Sequence, residues 1–326
     1  MPTAIFDSST VRNAATPAEV NEVIEDAFAA YERNNAIMPA KSYVDLPQYG
    51  GDFRSMPAYV HGDGWDAAGV KWVNVHPDNP TTASLPTVMG IMVYSDPATG
   101  VPLAIMDGTE LTRLRTGAAA AVATDHLAIA DASTLGIIGA GAQSYTQLSA
   151  IAAVRDIEDV VVSDLDEAAV TAFQNRFEDV VNVTRGTIEE AAHCDILSTV
   201  TPVESPIVDV EAVGPHTHIN AMGADAAGKQ ELSTALLQSA TVVIDDYEQC
   251  THSGEINVPW SLGEMSEEDI YGTIGDIVVD SLPGRDAIDG VTIFDSTGLA
   301  IQDIAAAHAV YEAANNAPEY DIIQLG

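Results

Sequence analysis

The segment TLGIIGAGAQS, residues 134–144, constrains the fold of this chain more than any other stretch. It is an apolar run that ends in two closely spaced glycines, Gly139 and Gly141, and then continues as a helix-like segment. A second apolar run, residues 160–162, follows about 20 residues later and ends at Asp164. This order of strand, glycine turn, helix and strand with an acidic tip predicts a dinucleotide-binding βαβ unit.

Each position of the glycine turn has a physical role in binding a dinucleotide. Gly139 permits the tight turn, and Gly141 lets the backbone approach a pyrophosphate. The third glycine position holds Ser144, which is small enough for close packing of helix and strand. The start of the helix adds unpaired N–H groups and the positive end of its dipole. The predicted cofactor contacts in this turn are Gly139, Ala140, Gly141, Ala142 and Gln143.

Asp164 discriminates between the two nicotinamide dinucleotides. Its carboxylate can accept hydrogen bonds from both hydroxyls of a ribose. Asp166 follows it and no arginine lies nearby in the sequence, so a 2′-phosphate would meet carboxylate repulsion. The sequence therefore predicts NAD, rather than NADP, as the cofactor.

Acidic residues dominate the charge of the chain. Its 49 Asp and Glu residues against 12 Lys and Arg residues give a formal net charge of −37 at pH 7. Such a charge repels nucleic acid and anionic membrane surfaces, so we expect neither as a partner. Apolar segments nevertheless recur throughout, which excludes a disordered acidic chain. Acidic residues distributed over an otherwise globular sequence predict a halophilic protein, because high salt screens the repulsion between their carboxylates.

Several features indicate a cytoplasmic location. No apolar run reaches the length of about 18 residues that a membrane-spanning helix needs. The N-terminal residues lack the basic and apolar segments of a secretory signal. Cys194 and Cys250 are the only cysteines, and we interpret them as two reduced thiols.

The chain contains only three lysines, Lys41, Lys71 and Lys229. In a sequence whose surface lysines have been replaced by acids, each remaining lysine is a candidate for a structural or chemical role. Lys41, Arg54 and Lys71 lie on successive predicted strands. If those strands pair, the three cations could form a pocket for a carboxylate. Spacing alone leaves open whether they converge.

The remaining chain reads as alternating strands and helices, which favours a mostly parallel sheet. Before the glycine turn we predict a helix capped by Thr16, a β-hairpin over residues 89–106 and a buried helix over 118–130. Later predicted elements are strands at 180–183, 195–202, 218–225, 241–246 and 291–295, and helices at 187–192, from 229 and at 299–314. Strand ends of a doubly wound sheet face the cofactor. The candidates there are Thr201, Gly223, Asp225, Lys229, Ser296 and Gly298.

The histidines do not predict a metal site. His216 and His218 form an HxH pair, but no third ligand with suitable spacing accompanies them. We therefore expect no metal cofactor.

From about residue 36 to its end, the chain resembles the ornithine cyclodeaminase/μ-crystallin family. The stretches that carry the resemblance are Gly69–Lys71, Leu85–Thr87, Thr99–Leu103, Arg115–Ala118, Gly139–Gln143, Gly223–Asp225, Gly228–Leu232 and Phe294–Ala300. The resemblance implies an α/β fold in which a Rossmann-like, doubly wound parallel sheet, residues 120–298, is inserted in a second α+β domain. That second domain, residues 1–119 and 299–326, would bind substrate and form a homodimer through its sheet.

The resemblance also implies roles for individual residues. Lys71 and Arg115 would hold the substrate carboxylate, and Asp225 would lie beside nicotinamide and substrate. Thr116, with Arg115 before it, would contact the cofactor together with the glycine turn.

One departure from the family pattern bears on the substrate. Cyclodeaminases have a glutamate two residues before a Met-Pro dipeptide, and this chain has Arg54 there. A cation would repel the second ammonium group of ornithine. Lys41, Arg54, Lys71 and Arg115 together favour a small anionic substrate such as pyruvate.

The sequence thus predicts an NAD-dependent enzyme for the reversible oxidative deamination of L-alanine to pyruvate and ammonia. Lys41, Arg54 and Arg115 would bind the carboxylate, Lys71 would polarise the imine or keto group, and Asp225 would orient or deprotonate water. Three alternatives stay open: an ornithine cyclodeaminase, a reductase of small cyclic imines such as ketimines or pyrroline-carboxylate, and a non-catalytic cofactor-binding protein.

Overall fold

The computed structural model of this chain describes residues 1–315 and 320–325. The chain forms two compact units, one of Met1–Arg115 with Leu299–Gly326 and one of Thr116–Gly298. The first boundary lies earlier than the predicted 119/120. The functions predicted for the two domains stay predictions.

The strands of the described residues fall into two sheets, one in each unit. In chain order they are β1 (Pro2–Phe6), β2 (Ala36–Ile37), β3 (Ser42–Leu46), β4 (Gly51–His61), β5 (Asp66–Val75), β6 (Val88–Ser95), β7 (Pro102–Asp107), β8 (Thr134–Ile138), β9 (Asp159–Ser163), β10 (Asn182–Arg185), β11 (Ile196–Thr199), β12 (His218–Ala221), β13 (Thr241–Ile244), β14 (Ile270–Thr273), β15 (Thr292–Asp295) and β16 (Asp321–Gln324).

The α-helices of the same residues are α1 (Ser8–Ala14), α2 (Pro17–Glu32), α3 (Asn79–Thr82), α4 (Gly108–Leu127), α5 (Ala142–Ile151), α6 (Glu167–Phe177), α7 (Ile188–Ala192), α8 (Thr234–Ser239), α9 (Tyr247–Ser253), α10 (Asn257–Leu262), α11 (Ile274–Val278) and α12 (Ala300–Asn315). Within the described ranges, none of these helices combines the length and the apolar character needed to cross a membrane.

Unit 1 is built on a mostly antiparallel sheet in the order β16-β1-β7-β6-β5-β4-β2, with β3 also paired to β4. Side chains alternate between the two faces of β4, β5 and β6, and helix α12 packs on one face against all three strands. Met56, Val73 and Met92 are buried on that face. The capping box at Thr16 and the β6–β7 hairpin are both confirmed.

Unit 2 is built on a parallel sheet in the order β10-β9-β8-β11-β12-β15-β13-β14. Every residue of β11, β12 and β15 is buried, as expected for strands covered on both faces. Strand order reverses between β8 and β11. Ligands of doubly wound sheets bind at the carboxyl ends of the strands beside such a switch point.

Helices cover both faces of the sheet of unit 2. One apolar cluster joins Leu135 of β8 to Leu148 of α5 and Phe173 of α6. The other joins Leu197 of β11 to Leu236 of α8 and further buried side chains. The predicted α/β fold with a Rossmann-like doubly wound sheet is therefore confirmed.

Several predicted elements have different bounds in the structure. Strands β11 and β12 end at Thr199 and Ala221, before the predicted residues 202 and 225. Helix α4 begins at Gly108, well before the predicted residue 118, because the Asp107 carboxylate accepts a hydrogen bond from Glu110 N (2.8 Å) and caps the helix. No helix begins at Lys229; α8 begins at Thr234, where the Ser233 side chain caps it. Strand β10 occupies 182–185 rather than 180–183, in register with β9.

Candidate active site

Lys71 and Arg54 share one face of the sheet of unit 1. Lys71 lies directly opposite Met56 of β4, and Arg54 is two residues before Met56 on the same strand. Because side chains alternate along a strand, Arg54, Met56 and Lys71 point to the same side. The pairing of β3 with β4 and of β4 with β5 places these three strands side by side, but Lys41 lies just before β3 and not on a strand as predicted.

A buried carboxylate that was not among the predicted site residues lies beside two of the predicted cations. Asp303 of α12 is fully buried, and its Oδ1 is 2.7 Å from Lys71 Nζ and 3.3 Å from Arg115 Nε. Arg115 Nη1 also donates to Gln302 Oε1 (3.1 Å). Lys71 Nζ makes a second hydrogen bond, to Thr112 Oγ1 (3.2 Å). Helices α4 and α12 therefore position the two cations.

Arg54 is likewise accompanied by a carboxylate. Its Nε and Nη2 donate to the two oxygens of Asp52, at 2.9 and 3.1 Å, in a bidentate pair. Its guanidinium carbon lies 5.5 Å from the centre of the Tyr43 ring. Lys41 precedes β3 and is close enough to Lys71 to affect its titration. Three of the four predicted cations, Arg54, Lys71 and Arg115, thus contact one of two carboxylates, Asp52 or Asp303.

Burial dominates the electrostatics of Lys71. Desolvation of the ammonium is the largest cause of a pKa lowered from 10.5 to about 8. The Asp303 carboxylate opposes this shift, whereas the charges of Arg115 and Lys41 add to it. Lys71 can therefore exchange a proton near neutral pH, as a general acid or base requires.

The glycine turn of unit 2 has the geometry that a dinucleotide needs. Gly139 has φ of +102°, and a Cβ there would lie 2.8 Å from the Val200 carbonyl oxygen, so only glycine fits. A Cβ on Gly141 would point into open space, with no atom within 4 Å. Gly141 is the N-cap residue of α5 and has no side chain to accept a hydrogen bond, which leaves N–H groups of the first turn for an anion. Ser144 Oγ donates to Gly141 O (2.7 Å) and closes the turn.

Asp164 contacts the glycine turn directly. Its Oδ2 accepts a hydrogen bond from Ala140 N (2.6 Å), and its Oδ1 accepts one from Asp166 N (2.8 Å). The Ala140 N–H is therefore used within the protein. Each carboxylate oxygen has a further lone pair, so the predicted ribose contact fits this arrangement.

A second buried carboxylate, Glu231, ties together the carboxyl ends of β11 and β12. Its Oε1 accepts from Thr201 N (2.8 Å) and Thr201 Oγ1 (2.6 Å), and its Oε2 accepts from Thr199 Oγ1 (2.7 Å) and Gly223 N (3.0 Å). Thr201 and Gly223, both predicted cofactor contacts, are thereby held at one edge of the sheet.

Asp245 orders the loop that follows β15. Its Oδ2 accepts from Ser296 Oγ (3.0 Å), Thr297 N (2.8 Å) and Gly298 N (3.0 Å). Ser296 and Gly298 are predicted cofactor contacts, and all of these residues are buried. Thr116 O, in turn, accepts from Gln147 Nε2 of α5 (3.3 Å).

Asp225 and Lys229 form an ion pair beyond the end of β12. Lys229 Nζ is 2.6 Å from Asp225 Oδ1, and both side chains are partly exposed. The Lys229 backbone carbonyl accepts from Asn257 Nδ2 (2.8 Å), which fixes the turn. Lys229 therefore orients the predicted catalytic carboxylate.

His216 and His218 do not face a common site. His216 is exposed, whereas His218 is buried with Nδ1 3.0 Å from Thr292 Oγ1 and Nε2 3.2 Å from Asn220 Oδ1. Burial lowers the pKa of His218 to about 3, so its ring is neutral. Residues 1–315 and 320–325 contain no group of three or more His, Cys, Asp or Glu side chains suited to a metal ion.

The sequence profile of the ornithine cyclodeaminase/mu-crystallin family matches residues 2–317. The chain belongs to this family. The alanine dehydrogenase of Archaeoglobus fulgidus, a similar protein, is 45% identical over 315 residues, which cover 96% of each chain.

Two solved structures extend the likeness to the whole fold. An archaeal alanine dehydrogenase dimer with bound NAD has a TM-score of 0.94 and 44% identity, and covers 100% of both chains. The Δ1-pyrroline-2-carboxylate reductase of Thermococcus litoralis, in complex with NADH and L-proline, has a TM-score of 0.91 and 32% identity. It covers 96% of this chain and 98% of its own.

Within this member of the ornithine cyclodeaminase/mu-crystallin family, sequence reasoning missed four buried or half-buried carboxylates. A signal existed for two of them. Asp52 is two residues from Arg54 on a predicted strand, and Asp303 interrupts an Ala- and Ile-rich helix. The other two, Glu231 and Asp245, accept from hydroxyl and backbone N–H groups that are distant in the sequence, and Glu231 was noted only as part of the stretch Gly228–Leu232.

Proposed function

We propose that this chain is an NAD-dependent amino-acid dehydrogenase that converts L-alanine, NAD and water to pyruvate, ammonia and NADH, and the reverse. The likeness to alanine dehydrogenases at 44–45% identity supports the proposal. NAD would be held by the Gly139–Gln143 turn, Asp164 and the ordered loops of unit 2. When bound, it accepts a hydride from the amino acid or, as NADH, donates one to the imine.

The observation that carries the proposal is the placement of Arg54 and Lys71 on one face of the sheet of unit 1, with Arg115 of α4 sharing the Asp303 carboxylate with Lys71. Lys71 and Arg115 share the single carboxylate of Asp303, whereas Arg54 is paired with Asp52. Two cations beside one carboxylate suit a substrate with a carboxylate and no second ammonium group. Arg54 replaces the glutamate of cyclodeaminases, which disfavours ornithine because a cation repels an ammonium group.

The chain's own residues then have separate tasks. Lys41, Arg54 and Arg115 bind the carboxylate and restrict the orientation of Cα. Lys71 donates a hydrogen bond to the keto oxygen or imine nitrogen and stabilises the charge that develops there. Asp225, oriented by Lys229, accepts a proton from the attacking water.

A reductase of Δ1-pyrroline-2-carboxylate is the second candidate, because the Thermococcus litoralis relative with that activity is 32% identical. Its substrate also has one carboxylate, and its ring nitrogen could accept the Lys71 hydrogen bond. The two candidates differ in whether free ammonia is a substrate.

We further propose that the protein is a cytoplasmic homodimer from a halophilic source. Trp72 and Ile91 pair across β5 and β6 and are 41% and 49% exposed on the sheet face opposite Lys71. Phe53 stacks on Trp72 with ring centres 5.3 Å apart. An apolar sheet face of this kind supports association through the sheet, and the archaeal relative is a dimer.

Loss of NADH absorbance in high salt tests the proposal, with pyruvate plus ammonium in one assay and Δ1-pyrroline-2-carboxylate in another. We expect faster oxidation in the first. Lys71→Ala should abolish turnover and keep NADH binding, whereas exposed Arg176→Ala should match the wild type. Oxidation with the cyclic imine alone would instead support the reductase, and no oxidation with either would support a non-catalytic binder.

A further inference from the structure

Lys71 is buried and held by two hydrogen bonds. Its side chain is 2% exposed, and Nζ donates to Asp303 Oδ1 at 2.7 Å and Thr112 Oγ1 at 3.2 Å. An ammonium carries three protons, so this geometry uses two of them and directs the third. The orientation of the third proton therefore depends on Asp303 and Thr112.

Asp303 has no exposed surface, and one of its two carboxylate oxygens contacts both neighbouring cations. Oδ1 contacts Lys71 and Arg115, whereas Oδ2 accepts no hydrogen bond from the described residues. The helix that carries Asp303 is buried along most of its length, so the carboxylate cannot turn to solvent. Its charge therefore acts on Lys71 and Arg115 without screening by water.

The charged groups around Lys71 come from three separate elements. Helix α12 contributes Asp303, helix α4 contributes Arg115, and the segment before β3 contributes Lys41. The strand neighbours directly opposite Lys71 are Met56 and Met92, which are uncharged. Asp303 is thus the carboxylate that compensates the ammonium of Lys71, while two cations oppose it.

We propose that Asp303 is a positioning residue for Lys71, which aims its ammonium group and sets the pH range over which Lys71 releases and regains a proton. This inference rests on the proposed role of Lys71 in catalysis. In the reductive direction, ammonia adds to the carbonyl carbon while Lys71, as an ammonium, donates its third proton to the carbonyl oxygen, which becomes the hydroxyl of the adduct. Lys71 then regains a proton from the nitrogen of the adduct. Asp303 itself does not touch the substrate.

The small number of lysines allows a direct measurement. Lysine labelled isotopically at Cε gives three NMR signals, which Lys41→Arg and Lys229→Arg assign. We expect Lys71 to titrate near 8 in the wild type. In Asp303→Asn its midpoint should fall by about one to three units, and in Arg115→Gln it should rise, because an opposite and a like charge are removed.

Two further variants make the test specific. Glu312→Gln makes the same charge change at an exposed position of α12 and should leave the Lys71 titration unchanged. Asp303→Glu retains the carboxylate and should titrate closer to the wild type than Asp303→Asn does. If Asp303→Asn does not fold, the upward shift in Arg115→Gln and the retained midpoint in Asp303→Glu still test the inference. A Lys71 midpoint near 10 in the wild type, or equal midpoints in all variants, would overturn it.

Activity provides the second readout. The limb of the pH profile of kcat/KM that reports Lys71 should move in Asp303→Asn in the same direction and by a similar amount as the NMR midpoint. A merely structural ion pair would lower the rate at every pH without moving that limb, which would refute the positioning role. The NMR shift in a protein that lacks dehydrogenase activity would instead contradict the proposed function and leave the effect of Asp303 on Lys71 intact.

Discussion

Replacing Gly141 with alanine separates cofactor binding from folding at the glycine turn of unit 2. Its backbone is extended, with φ −74° and ψ −170°, which any residue adopts. A Cβ there meets no protein atom within 4 Å and would instead occupy the space where the pyrophosphate approaches. Gly139→Ala is the contrasting change, because φ of +102° and the Val200 carbonyl 2.8 Å away oppose any side chain.

The magnitudes of the two changes differ in stability and in binding. In Gly141→Ala, the reduced entropy of the unfolded chain stabilises by about 0.4–1 kcal/mol, and alanine, a poorer N-cap residue than glycine, costs about 0.5–1 kcal/mol. Net stability should therefore change by less than about 1 kcal/mol. Steric conflict with the pyrophosphate should weaken NADH binding by about 1–3 kcal/mol, from about fivefold to on the order of a hundredfold. Gly139→Ala should lose about 1–3 kcal/mol of stability through backbone strain.

Urea unfolding and titration of NADH fluorescence, both in high salt, measure the two quantities on the same samples. Gly141→Ala should unfold near the wild-type midpoint and bind NADH more weakly. Equal NADH affinity in Gly141→Ala and the wild type would refute the assignment of the pyrophosphate to this turn. An unfolding midpoint unchanged in Gly139→Ala would refute the steric reasoning.

Three further predictions concern stability and assembly. Burial lowers the pKa of His218 to about 3, against 6.5 in the unfolded chain. Between pH 6.5 and 3 only the unfolded chain gains this proton, so the free energy of unfolding should fall by about 3–5 kcal/mol over that range. Urea unfolding of His218→Asn should lack this slope, and exposed His216→Asn should keep it. Trp72→Glu should convert dimer to monomer in light scattering, whereas the same change at exposed Leu262 should not; a dimeric Trp72→Glu would contradict assembly through the sheet. The chain has a net charge of −37, and salt screens the repulsion between its carboxylates, so the urea midpoint of unfolding should rise with KCl concentration. An equal midpoint in low and molar KCl would exclude a halophilic protein.

The fold of unit 2 was predictable because its signals are local. The apolar run before Gly139, the two glycines and the acidic tip at Asp164 lie within one βαβ unit, so their order alone specifies a dinucleotide-binding turn. Helix α4 was predicted too short because the capping pair Asp107 and Glu110 was overlooked, although its spacing is a recognised helix start.

The partners of the cations were less predictable. Lys71 and Asp303 are 232 residues apart in the sequence, and only the packing of α12 on the sheet brings them together. The common face of Arg54 and Lys71 depends on strand register, which cation spacing does not determine. The four cations alone therefore overestimate the positive charge, because Asp52 is paired with Arg54, and Asp303 with Lys71 and Arg115.

Product analysis with isotope-labelled ammonium tests the central claim, that this chain aminates a small 2-oxo acid with NADH, most directly. The protein is incubated in high salt with pyruvate, labelled ammonium and NADH, and labelled alanine is measured by mass spectrometry against NADH consumed. We predict one labelled L-alanine for each NADH oxidised, and none in Lys71→Ala. NADH oxidation that yields no labelled alanine, or proline formation from Δ1-pyrroline-2-carboxylate as the sole reaction, would contradict the claim.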